Sequence, residues 1–138
     1  MTTHIFVSLP VNDLKKSIQF YESLGFQQNP HFTTEDAASF SIDETIHVML
    51  STHDKFKELT PKEIANPNIV CHSLISLSLA SREEVDAIVS KAITAGGSRA
   101  HEPEDYGFMY QYGFYDLDGH GWGVFWMDPA AMKQGSES

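Results

Sequence analysis

An internal repeat constrains this chain more than any other feature. Phe6 to Phe26, FVSLPVNDLKKSIQFYESLGF, reads as a buried strand, a capped turn, an amphipathic helix and the start of a second strand. Phe6 to Val11 is apolar and rich in strand formers. Asn12 or Asp13 offers a side-chain oxygen to the free amides of a helix start. Leu14, Ile18, Tyr21 and Leu24 follow at helical spacing, and Gly25 supplies the stop. A weaker copy begins near Leu74. With Val11 set against Leu79, Phe6 falls on Leu74, Leu9 on Leu77, and the cap Asp13 on Ser81. Gly25 matches Gly96 after a three-residue insertion. Two unrelated βα units could match by chance, but the later segments also match in order, which favours duplication.

In the first half, residues 26–32 form a short strand broken by Pro30, which suits a sheet edge. Ala37 to Ile42 and Ile46 to Ser51 pair around a turn at Asp43-Glu44-Thr45. The order is β-α-β-β-β. Residues 52–69 contain Pro61 and Pro67 and read as a linker, with one helical turn near Asp54 to Leu59. In the second half, Val70 to Leu79 reads as a strand. Ser81 with Glu84 has capping-box spacing. Val85, Ile88, Val89, Ala92 and Ile93 form the helix's apolar face, and Gly96-Gly97 end it. A short strand follows near Ser98 to His101. Phe108 to Tyr115 and Gly121 to Met127 form a hairpin around Asp116-Leu117-Asp118-Gly119. The expected layout is one α+β domain of two tandem modules, residues 4–51 and 70–128, with a linker at 52–69 and a fraying tail at 129–138. Each module alone leaves a sheet face bare, so two can cover each other.

The 138 residues can bury a core without staples. The one cysteine, Cys71, rules out an internal disulfide and fits a reducing, cytoplasmic setting. A net charge of −10 argues against a nucleic-acid partner. No apolar run approaches the roughly 20 residues that cross a bilayer, so no membrane is expected. The N-terminus lacks the pattern of a signal peptide.

VNDLKKSIQFYESLGF, with DLDGHGW and VFWMD, resembles the vicinal oxygen chelate superfamily of glyoxalases, bleomycin-resistance proteins and extradiol dioxygenases. The resemblance spans residues 4–128. It implies the glyoxalase/bleomycin-resistance/dioxygenase fold, two βαβββ modules whose sheets curl around one cleft, and a homodimer. It also implies a divalent metal held by His, Glu or Gln on four strands. Carried over by position, those ligand sites fall on Phe6, Met49, Leu74 and Gly123, none of which suits such a cation. The usual metal site is therefore expected to be absent, with no cofactor. His4, His47 and His72 each stand two residues before a lost ligand. Strand period puts them on the same face, about 6–7 Å along the strand. They are either an alternative metal site or unrelated residues near strand starts. His120 reads as a turn residue.

Between Asp105 and Trp126 the chain is dense in aromatics. Phe108, Tyr110, Tyr112 and Phe114 share one strand face, and Met109, Gln111, Gly113 and Tyr115 the other. One face should pack on a helix and the other should line the cleft, with glycines leaving gaps beside the rings. The expected ligand-binding residues are Phe6, His47, Met49, His72, Leu74, Phe108, Tyr110, Trp122 and Gly123. Glu102, Glu104 and Asp105 form an acidic loop, either solvated or able to meet a cation. No nucleophile elbow or phosphate-cradling glycine motif is present. Cys71 and His72 are adjacent in a stretch that reads as a strand, so they point apart and cannot pair. Three readings follow: a metal-free binder of a small organic molecule, a metal-dependent lyase or dioxygenase using displaced histidines, or a scaffold whose cleft is filled.

Overall fold

The computed structural model describes residues 2–71 and 73–131. The chain forms two compact units, Met1–Val70 and Cys71–Ser138. Each is a sheet with a helix on one face.

In the first unit the strands are β1 (Ile5–Val11), β2 (Gln27–Asn29), β3 (Ala37–Asp43) and β4 (Ile46–Thr52). Their order is β1-β4-β3-β2. β1 runs parallel to β4, and the other pairs are antiparallel. Helix α1 (Leu14–Ser23) starts where Asp13 accepts a hydrogen bond from the Lys16 amide, 3.1 Å. It ends before Gly25, whose φ of +96° is costly for any residue with a Cβ. The helix packs on β3 and β4. Tyr21 lies against Phe40 and Phe26, and Val48, Leu50, Ala38 and Val11 complete a dry layer. Phe20 is fully buried as well, whereas Ile18, which the periodicity places in the stripe, is only partly buried. The edge position expected for residues 26–32 is met by β2, followed by a 3-10 turn at Pro30–Phe32. The linker carries a helical turn, α2 (His53–Lys57), capped by Thr52.

The second unit repeats the plan. β5 (Ile75–Ser78), β6 (Ser98–Arg99), β8 (Met109–Tyr115) and β9 (Gly121–Met127) order as β5-β9-β8-β6, and β7 (Glu104–Asp105) also pairs with β8. β5 is parallel to β9, as β1 is to β4. Helix α3 (Arg82–Thr94) begins at Ser81, which accepts from the Glu84 amide at 3.1 Å. The Glu84 carboxylate accepts in return from the Ala80 amide, 3.0 Å. Val85, Ile88, Val89 and Ala92 are buried, while Ile93 is exposed. The hairpin turn is held by Asp116, whose carboxylate accepts from the amides of Asp118, Gly119 and His120.

Two expectations on this unit need correction. The strand foreseen from Val70 covers only Ile75–Ser78. The register that sets Ile75 against Trp122 leaves β9, which begins at Gly121, only one residue to offer before it. The segment foreseen as an acidic loop contains a strand, β7, tied down by the Arg82–Asp105 ion pair. The tail forms a helical turn at 129–131, and the rest of it lies outside the described residues.

Candidate functional site

Cross-strand partners share a sheet face, so the register sorts each sheet into a helix-packed face and an open one. In the first sheet Phe6 stands opposite His47, Ser8 opposite Met49, and Ser41 opposite His47 on the other side. These residues lie on the face away from α1, which is open toward Phe6 and His47 and buried at Ala37, Ser39 and Ser51. The His47 ring stacks on Phe6 at 4.4 Å between centroids and on His4 at 5.1 Å. His47 Nε2 is 2.8 Å from His4 Nδ1, and its Nδ1 is 3.1 Å from Ser41 Oγ. Both ring nitrogens are thus engaged, in a chain from a partly buried hydroxyl to an exposed imidazole.

In the second sheet Gly123 faces Ser76 and Gly113, and Phe125 faces Gln111 and Ser78. With Met109 and Met127 these make up its open face, which is partly exposed. At its border Tyr106 donates a short hydrogen bond to Glu104. That bond, with help from Gln111 and His101, holds the Glu104 carboxyl below its ordinary range against the opposing effect of burial. The same contact pushes the Tyr106 hydroxyl up. Asp105 is lowered by the Gly107 amide and then by Arg82, which also donates to the Gly107 carbonyl and lies over Trp126.

The helix-packed face of this sheet holds Tyr110, Tyr112, Phe114, Trp122, Val124 and Trp126. Trp122 is 1% exposed and stacks on Phe114. Tyr110 donates to Asp86 of α3 at 2.5 Å, and that bond, with burial, pushes its hydroxyl up to about 12. Of the expected ligand-binding residues, Tyr110 and Trp122 therefore belong to the helix-packed side. Phe108 and Leu74 lie outside the strands and are exposed. Phe6, His47, Met49 and Gly123 do reach open faces. His72 lies outside the described residues. Cys71 is exposed and outside any strand, its thiol donating to the Ser73 carbonyl.

Sequence reasoning missed Ser41, Gln111 and Tyr106. Ser41 was legible in principle, because counting back from the Asp43-Glu44-Thr45 turn sets it across from His47.

The model of the Glyoxalase/Bleomycin resistance protein/Dioxygenase superfamily matches residues 3–124. The chain belongs to this superfamily. Among solved structures it is similar to the hypothetical protein SA1046 from S. aureus, at 31% identity and a TM-score of 0.76, covering 91% of this chain and 94% of that one. It is also similar to a glyoxalase/bleomycin resistance protein/dioxygenase family enzyme from Burkholderia phytofirmans PsJN, at 17% identity and a TM-score of 0.77, covering 91% and 99%. The fosfomycin resistance protein FosX from Listeria monocytogenes shares the fold at 19% identity and a TM-score of 0.65, covering 91% and 90%. No curated protein matches the chain.

Members of this superfamily normally use a divalent cation, and the positions carried over for its ligands do not fit one here. Phe6, Leu74 and Gly123 offer no donor atom, and Met49 offers only a soft thioether. Among the described residues no three His, Cys, Asp or Glu side chains converge to hold a metal.

Proposed function

We propose that the protein binds a small organic molecule without a cation at the family's four ligand positions. One observation carries this reading: those positions hold phenylalanine, methionine, leucine and glycine, and three of them sit on open sheet faces or at their border. The second sheet supplies the contact surface. Phe125, Met109 and Met127 offer soft apolar area. Gly123 removes a side chain from the middle of the face, and Gln111 and Ser76 add hydrogen-bonding groups. The ligand wall thus shifts from the aromatic stripe foreseen in the sequence to the opposite face of the same strands. Within the superfamily, the bleomycin-resistance type offers the functional analogy.

The test is native mass spectrometry of EDTA-treated protein against a panel of flat apolar and cationic compounds. Binding that survives chelation and weakens in Phe125→Ala supports the reading. Stoichiometric metal that is lost only on changing Met49 overturns it. A homodimer and a cytoplasmic location belong to the same proposal, and sedimentation at micromolar concentration tests the dimer.

The lyase or dioxygenase reading with displaced histidines draws on the proximity of His4 and His47. Two imidazole ligands of a tetrahedral cation at about 2.0–2.1 Å stand roughly 3.3 Å apart. At 2.8 Å the two nitrogens are spaced for a shared proton instead.

A further inference from the structure

The first sheet's open face holds a group of side chains that ligand binding leaves unexplained. Ser41 comes from β3, His47 from β4, and His4 precedes β1. The two contacts, Ser41 Oγ to His47 Nδ1 at 3.1 Å and His47 Nε2 to His4 Nδ1 at 2.8 Å, link a hydroxyl, a base and a group that orients the base. A nucleophile within hydrogen-bond reach of a base, itself held by a third group, is the arrangement that activates serine in unrelated folds. We infer that Ser41, His47 and His4 form an acyl-transfer site that accepts activated esters.

The tautomer decides whether it works. With the neutral His47 proton on Nε2, that N–H donates to His4 Nδ1, and the Nδ1 lone pair accepts from the Ser41 hydroxyl. His4 then keeps its own proton on Nε2. Phe6, stacked on the His47 ring, holds its plane. The opposite tautomer would turn Nδ1–H onto Ser41 and leave the hydroxyl unactivated.

In the step itself, Ser41 Oγ bonds to the acyl carbon and its proton passes to His47 Nδ1. The imidazolium so formed donates through Nε2 to His4. It then returns the Nδ1 proton to the leaving alkoxide or phenolate as the ester C–O bond breaks. Water, deprotonated by the same nitrogen, releases the acid and restores Ser41. His4 is exposed and Ser41 and His47 are partly exposed, which leaves the group open to a substrate.

This inference does not depend on the ligand-binding reading. p-Nitrophenyl acetate tests it on the full chain, with phenolate release followed in the first turnover and peptide mass spectrometry locating the acetyl group. The expected result is a stoichiometric burst with acetyl on Ser41. Ser41→Ala abolishes the burst, and His47→Ala slows it about 100-fold. His4→Ala slows it less and is rescued by added imidazole, which a merely structural role would not show. Circular dichroism and melting of each variant separate lost chemistry from lost fold. Acetyl found only on lysines, or a burst unchanged in Ser41→Ala, overturns the assignment. Ligand binding retained by Ser41→Ala in either case leaves the proposed function standing.

Discussion

Trp122→Ala separates the two faces of the second sheet. The side chain is 1% exposed, lies flat against Phe114 at 6.2 Å between centroids, and shares its face with Val124 and Tyr112. Removing a buried indole from such a layer costs about 3–5 kcal/mol, because the contacts are lost and a cavity remains. For a chain of this length each kcal/mol lowers Tm by about 3–5 °C. The expected drop is therefore at least about 10 °C, read by near-ultraviolet circular dichroism or calorimetry. The sequence contains two tryptophans, so Trp126→Phe leaves Trp122 as the single reporter. Its emission should be blue-shifted and resist acrylamide quenching. Affinity for a small-molecule ligand should be unchanged in any folded fraction of Trp122→Ala. A Tm within about 2 °C of the parent, together with lost ligand binding, would show that Trp122 lines the binding surface and that the face assignment is inverted.

Gly113 and Gly123 face each other across β8 and β9 but should respond differently to alanine. A Cβ on Gly113 would stand 2.9 Å from the Trp122 carbonyl oxygen, a backbone atom that cannot swing aside, so Gly113→Ala should cost about 1–2 kcal/mol in urea melts. On Gly123 it would meet the Ser76 hydroxyl at 3.1 Å, an exposed side chain free to rotate, so Gly123→Ala should stay within about 0.5 kcal/mol. Tyr110 should be among the last tyrosines to ionise, and Asp86→Asn should bring it back toward the ordinary value near 10. Its folded value is raised, so its stabilising contribution is full below pH 10 and fades as pH climbs toward about 12. Alkaline melts of the parent should steepen there, and those of Asp86→Asn should not. Ser81→Ala removes the α3 cap and should cost about 1 kcal/mol, measured by chemical denaturation.

The repeat, both helices and their caps, the glycine stops and the two hairpins were legible from residue order alone. Each rests on local physics: Asp13 and Ser81 need only the amides three residues on, and Gly25 needs only its own positive φ. Superfamily membership followed from the same local signatures. Tertiary structure decided which side of each strand meets a helix. Strand period two sorts residues 108–115 into two sets but does not orient them, and both sets contained aromatics. The aromatic-rich set went to the core because α3 brings Asp86 to Tyr110 and Arg82 to Trp126. Only the fold could bring Ser41 and His47 to His4, which stands 43 positions before His47. Parallel pairing of β1 with β4 joins strands that are not neighbours in sequence, and no periodicity encodes that register. The strand foreseen from Val70 is short for a related reason: β9 begins at Gly121, so its ladder can reach back no further than Leu74.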